Sequence, residues 1–155
     1  MVAVKPNWSN LSASSHYNLA KEIKFSLQEG DKENAIDGLN ELIDSMSKMA
    51  IREMRSHLMI LMLHIIKWNN QPQKRSFSWI NSILNARDEI AEVMEETPSV
   101  TKFEIERVWQ QTFQKAVRNA GYEMGMSSKE LKKFEPTPLT WQEVFEDEYL
   151  LENND

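Results

Sequence analysis

The sequence predicts an all-α protein: an antiparallel helical bundle of four to five main helices with a short-helix carboxyl-terminal appendage. Three observations lead there. Apolar residues recur at three- and four-residue steps almost everywhere, and no stretch alternates at the strand period. Only 4 Gly and 5 Pro occur among 155 residues, too few turn-formers for a sandwich or barrel of short strands. Hydrophobic residues at 41% and charged residues at 27% are the mixture of a globular chain with a real core. Zero Cys removes disulfides, thiolate metal sites and cysteine nucleophiles together.

Residues 1–14 read as a flexible amino-terminal arm, 15–150 as a single helical domain and 151–155 as a disordered acidic end. The first helix is expected from Ser15 to Gln28, with Gly30 supplying the left-handed stop. Asp31 caps the next, whose seam is Ile36, Leu39, Ile43 and Met46. A second seam follows: Ile51, Met54, Leu58, Leu61, Ile65 and Trp68. The step from Met46 to Ile51 offsets the two seams. That predicts a break near Ser47, or a change of buried face if the helix continues. From Leu58 to Ile66 apolar residues go all the way round, so this segment is expected to be the central, buried helix. Pro72 ends it.

Ser76 or Ser78 then starts a helix bearing Ile80, Ile83, Leu84, Ile90 and Met94. Thr97-Pro98 reads as a cap followed by proline in the first turn of the next helix. That helix carries Ile105, Val108, Trp109, Phe113, Ala116, Val117 and Ala120, and stops between Gly121 and Gly125. Two short helices follow with capping boxes, Ser127 with Glu130 and Thr140 with Glu143, separated by Pro136 and Pro138.

The formal charge is -6, from 18 basic and 24 acidic residues. Seven of the acids and none of the basic residues lie between Glu135 and Asp155, so a nearly neutral body carries an acidic tail. This balance argues against wholesale binding to nucleic acid or anionic membrane. The tail is expected to contact a partner or the chain's own basic corner. The apolar run at Met1-Val2-Ala3-Val4 is too short for a signal peptide, and Leu58–Ile66 is about half a bilayer span. A cytoplasmic location is expected, with no membrane partner.

Between Met54 and Arg87 lie five basic residues and no acid: Arg55, Lys67, Lys74, Arg75 and Arg87. Interleaved with Trp68, Phe77 and Trp79, they read in two ways. As a nucleic-acid interface, the cations hold phosphate while the rings stack on bases. As a structural corner, the tryptophans pin helices together while Lys and Arg coat the rim.

Glu53, His57 and His64 share one helical face and supply a carboxylate and two imidazoles, a partial divalent-metal set. The alternative is a buried His64 with one hydrogen bond. No cofactor is expected. Arg52-x-x-x-x-His57 resembles the arginine-to-histidine spacing of HEPN-type helical ribonucleases, a spacing frequent by chance. No glycine lies between Leu39 and Ala120, which excludes a phosphate-cradling loop or dinucleotide fingerprint there. Met46, Met49, Met54, Met59 and Met62 are expected to fill core gaps; any that face outward point to pairing of two subunits.

The run His64-x-x-Lys67-Trp68-x-x-Gln71-Pro72-x-x-Arg75-Ser76-x-Ser78-Trp79, followed by Ile83 and Arg87, closely resembles the signature of the family catalogued as domain of unknown function 29. Leu39-x-Glu41-x-Ile43-Asp44-Ser45-Met46, Ala116-x-Arg118-x-Ala120 and Phe134-x-Pro136 through Glu146-Asp147 extend the likeness over residues 16 to 150. The resemblance implies a small all-helical bacterial protein and brings no activity, substrate or cofactor. The motif residues are His64, Lys67, Trp68, Gln71, Arg75, Ser78, Trp79 and Arg87. On a structural account, Gln71 and Arg75 bind helix-end carbonyls at a sharp corner, where cations also suit the helix dipole. On a functional account, Arg75 and Lys67 form an anion pocket.

The leading expectation is a non-enzymatic protein-interaction module that binds a protein partner or forms a homo-oligomer. The alternatives are a nucleic-acid-binding or ribonuclease-like protein and a metal-binding bundle.

Overall fold

The computed structural model describes residues 6–152. Among these, seven α-helices and no strand are present, as the periodicity predicts. They are α1 (Trp8–Ser14), α2 (His16–Gln28), α3 (Lys32–Asn70), α4 (Phe77–Glu96), α5 (Lys102–Glu123), α6 (Ser128–Lys133) and α7 (Trp141–Phe145). A 3-10 turn, Pro72–Lys74, links α3 to α4. Residues 1–5 of the expected arm and 153–155 of the expected acidic end lie outside the described residues. Within the remainder of the arm, Trp8–Ser14 forms α1. Asn7 caps α1 by accepting from the Asn10 N–H at 3.1 Å, and Trp8 is buried. Two turns are too short to display a period, so burial of the indole decides what the pattern could not. The chain divides into two compact units between Ala50 and Ile51, inside α3.

In the first unit, Trp8, Leu19, Ile23 and Ala35 form the core, with Leu11 and Leu42 packed against it. His16 ties α2 to α3 through a 2.6 Å hydrogen bond between Nε2 and Ser45 Oγ. Gly30, at φ +78°, ends α2, and the Asp31 N–H reaches back to Ser26 O at 2.8 Å. Asp31 then caps α3 by accepting from the Asn34 N–H at 3.2 Å. The expected seam of this stretch is not what packs. Ile36, Leu39, Ile43 and Met46 are exposed, and Ala35, Gly38 and Leu42 face the core instead. Small residues win because they admit the large ring: a Cβ on Gly38 would stand 2.9 Å from Trp8 Cη2 and 2.6 Å from Ile23 Cγ1.

In the second unit, α3 continues without the break expected near Ser47, and because the Ile36–Met46 seam is exposed the two seams are not two buried faces. Met54, Leu58, Leu61, Met62, Ile65 and Ile66 are all fully buried, which makes this the central helix that the all-round apolar run predicts. Ile83 and Ile90 of α4 and Ile105, Ala116 and Ala120 of α5 are buried with them. Cross-helix pairs give the directions. His57 meets Glu89 and Lys67 meets Trp79, so α4 runs antiparallel to α3. Met59 meets Asn119 and Lys67 meets Glu123, so α5 runs parallel to α3. Up-down-up connectivity keeps successive helices antiparallel.

One boundary differs from expectation. Thr97 closes α4, and Pro98 sits in a β-turn, closed by the Val100 N–H on Thr97 O at 2.9 Å, rather than in the first turn of α5. Burial of Val100 holds that turn down and delays α5 to Lys102. Both capping boxes form as read. Among the described residues, no helix is long and apolar enough to cross a membrane.

Glycine to alanine inside a helix ordinarily stabilises by about 1 kcal/mol. At Gly38 the sign is expected to reverse, with a loss of about 1–3 kcal/mol from overpacking against Trp8. Denaturant unfolding of Gly38→Ala measures it, and a gain in stability would refute the close approach.

Candidate functional site

The conspicuous motif of the sequence folds into the corner where α3 ends, and the geometry of each side chain follows from that turn. The last carbonyls of a helix lack intrahelical partners. Arg75, just past the 3-10 turn, donates Nε–H to Trp68 O at 3.0 Å, and its guanidinium lies 4.7 Å over the Trp68 ring. Asn70 Nδ2 donates to Ile66 O at 2.7 Å. The Gln71 backbone N–H donates to Lys67 O at 2.8 Å, and Gln71 O accepts from Lys74 at 2.9 Å. Gln71 thus works through its backbone, whereas its side chain was expected to bind carbonyls. Ser76 caps α4 by accepting from the Trp79 N–H at 3.3 Å; Ser78, one turn in, is exposed.

Lys67 is engaged as well. Its ammonium pairs with Glu123 at 3.0 Å and lies 4.7 Å over the Trp79 ring, with only 13% of the side chain exposed. His64 is half-buried rather than buried as expected, and its Nδ1 makes the one expected hydrogen bond, 2.8 Å from Ile60 O. Arg87 reaches the carboxyl-terminal segment, donating Nε–H to Val144 O at 2.7 Å and Nη2–H to Glu143 O at 3.2 Å. The acidic tail therefore meets the basic corner through backbone carbonyls rather than carboxylates.

Tyr149 completes a stack. It stands edge-on to Trp68 at 5.5 Å, lies 5.5 Å under the Arg87 guanidinium, and donates its hydroxyl to Glu143 O at 2.6 Å. Burial pushes the Tyr149 phenol up to about 12, against a smaller downward pull from Arg87. Burial also holds the Arg87 guanidinium below its ordinary value, partly offset by Tyr149 and Asp147. The signature cations thus make an alternating Arg75–Trp68–Tyr149–Arg87 pile, and the arrangement has the character of the structural account. A second aromatic cluster, Trp109 with Trp141 at 5.8 Å and Phe145 at 6.2 Å, holds α7 against α5.

Over residues 16–150 the sequence matches the family model described as Domain of unknown function DUF29. The chain belongs to the DUF29 family. No curated protein and no solved structure matches it. Of the central motif in this DUF29 chain, Lys67, Trp68, Gln71, Arg75 and Trp79 take part in contacts at the α3–α4 corner and Arg87 in contacts to the carboxyl-terminal segment, whereas His64 bonds its own helix and Ser78 is exposed.

The other candidate groups are separated or regrouped by the fold. Glu53, His57 and His64 do not converge: His64 lies two turns beyond His57, about 10 Å along the axis. The group that does converge is Glu53, His57 and Glu89, with His57 Nε2 3.9 Å from Glu53 Oε1 and 3.8 Å from Glu89 Oε2. Both carboxylates are about half exposed and stand beyond hydrogen-bond length from the imidazole, so the cluster is a loose polar contact between α3 and α4. Arg52 and His57 also part company. Five residues turn a helix through about 140°, so His57 faces α4 while Arg52 lines a groove toward α5. Sequence reasoning missed Glu123, Glu143 and Tyr149 as the partners that engage the motif, and Glu89 as the partner of His57. Each lies more than twenty residues from the side chain it meets, or pairs through its backbone, and no local spacing signals either.

Two outcomes follow. Arg87→Lys, which loses the fork geometry to two carbonyls, is expected to cost about 1–3 kcal/mol in denaturant unfolding. Free tyrosine ionises near 10.0, and Tyr149 in the fold near 12, so the neutral ring is the form the fold favours. Its contribution is whole below the lower value and lost as pH rises through the upper one. Stability is expected to fall across that interval, and less steeply in Tyr149→Phe; equal slopes would contradict the buried phenol.

Proposed function

We propose that this DUF29 chain is a non-catalytic protein-interaction module that pairs reversibly with a second copy of itself through the first half of α3. One observation carries the reading. Ile36, Leu39, Ile43, Met46 and Met49 are exposed at 48%, 42%, 61%, 51% and 53%, and the first four form one helical seam. Large apolar side chains aligned on one helix face mark an interaction surface, whereas scattered ones do not. Met46 and Met49 are the outward-facing methionines that the sequence reading tied to subunit pairing.

Area supports the second copy as occupant. Full burial of a side chain of this size is worth about 2 kcal/mol, so covering five half-exposed ones on each of two copies yields about 10 kcal/mol. Association costs roughly 4–15 kcal/mol, which makes the pairing reversible rather than obligate. A two-fold interface must be self-complementary. An antiparallel copy centred near Glu41 sets Ile36 against Met46 and Leu39 against Ile43, apolar on apolar along the seam.

The nucleic-acid alternative calls on Lys67, Lys74, Arg75 and the tryptophans; the head groups of Lys67 and Arg75 are already engaged with Glu123 and Trp68, and Lys74 alone of the three cations is without such a partner. The ribonuclease alternative calls on Arg52 and His57, which face different helices.

Sedimentation of the full chain over a range of concentration tests the reading. A concentration-dependent dimer is expected, lost in Ile43→Glu with helicity retained, because the position is exposed. A wild-type chain that stays monomeric at millimolar concentration would overturn it.

A further inference from the structure

We propose that the groove between α3 and α5 binds a small, doubly or triply charged phosphate anion through Arg52, Arg55 and Lys115. The groove encloses about 360 Å³ and is lined from α3 by Arg52, Arg55 and Ser56 and from α5 by Gln111, Thr112 and Lys115. Positions 52, 55 and 56 share one side of α3, as 111, 112 and 115 share one side of α5. No carboxylate lines it.

What distinguishes the three cations is that they line one groove together; among the described residues Lys24, Lys32, Lys74, Arg118, Lys129, Lys132 and Lys133 also lack an ion pair. Lys48 pairs with Asp44 at 2.9 Å, Lys67 with Glu123 at 3.0 Å and Arg107 with Glu104 at 2.6 Å. Arg87 and Arg75 bond to backbone carbonyls. Among the described residues, Arg52, Arg55 and Lys115 have no ion pair, although acids outnumber bases by 24 to 18. Like charges gathered on one groove repel each other, and an anion seated among them removes that cost.

The remaining polar groups define what the groove can do. Ser56 Oγ donates to Arg52 O at 3.1 Å, and Thr112 Oγ1 donates to Val108 O at 2.7 Å. Both hydroxyl protons are thus committed to their own helices. The donors left for a ligand are two guanidinium forks, an ammonium and the Gln111 amide, a set suited to phosphate oxygens. With no general base in the lining, the groove binds rather than reacts. Its volume is at the small end for ligand pockets, ample for a diphosphate or a compact phosphomonoester. No aromatic ring lines it, so it offers no platform for a stacked base, which favours a small anion over single-stranded RNA.

Calorimetric titration of the full chain with inorganic pyrophosphate at low salt is the test, run beside orthophosphate, a sugar phosphomonoester and a single-stranded RNA oligomer. Saturable binding of pyrophosphate is expected, weakening as salt rises. Arg55→Gln and Arg52→Gln should each weaken it tenfold or more, and Lys115→Gln several-fold. Lys74→Gln, an exposed cation of the 3-10 turn, should leave it unchanged. Stronger binding of the sugar phosphate than of pyrophosphate would place an organic phosphate as the natural source, and the reverse a free diphosphate; either supports the site. All three groove cations are exposed, and unchanged far-ultraviolet circular dichroism verifies that each variant folds. Absence of saturable binding at millimolar pyrophosphate, equal loss in Lys74→Gln, or tighter binding of RNA than of pyrophosphate would each overturn the proposal. Ile43→Glu should bind normally, which separates this result from the oligomeric state.

Discussion

The burial of α3 from Met54 to Trp68 is the constraint on which the second unit depends. Apolar residues on every side of a helix require neighbours on every side, and α4 and α5 supply buried isoleucines and alanines to meet that need. The chain must then leave the end of a water-excluded helix and reverse direction within a few residues. Helix-end carbonyls in such a place need donors, and Arg75 on Trp68 O and Asn70 on Ile66 O provide them. The family signature is legible as the chemistry of that exit: Pro72 to stop the helix, arginine to satisfy its end, tryptophan to seal the corner and Ser76 to start the return.

Charge is distributed by the same logic. Lys67 and Arg75 at the corner are engaged by a carboxylate, a carbonyl and ring faces, whereas Lys74 of the 3-10 turn is exposed. The cations of the α3–α5 groove have no such partners. Other cations of this acidic chain are also unpaired, but Arg52, Arg55 and Lys115 are brought together on one groove without a carboxylate in its lining. A parallel contrast holds for apolar side chains. From Met54 onward most of the large residues of α3 are covered, Ile60 being the exposed exception, whereas upstream the covered side is Ala35, Gly38 and Leu42, and the large ones remain outside.

Helix positions were readable because they depend on local rules. Gly30 permits a left-handed stop, and the capping boxes at Ser127 and Thr140 place side-chain acceptors within three residues of the N–H groups they satisfy. Pro98 misled because proline suits both the first turn of a helix and the second position of a β-turn, and only the burial of Val100 chooses between them. The seam from Ile36 to Met46 misled because periodicity reports that a face is apolar, not that a neighbour arrives to cover it.

The sequence by itself determined the helical class, the central helix, most caps and stops, and the family, since all of these rest on patterns within a few turns of chain. Tertiary structure alone decided which cations are spent, that His57 groups with Glu89 rather than His64, and that Arg52 and Arg55 share a groove with Lys115. Those outcomes join residues tens of positions apart, on helices whose mutual rotation is set by packing. A spacing rule describes the face of one helix; it holds no information about which other helix that face will meet.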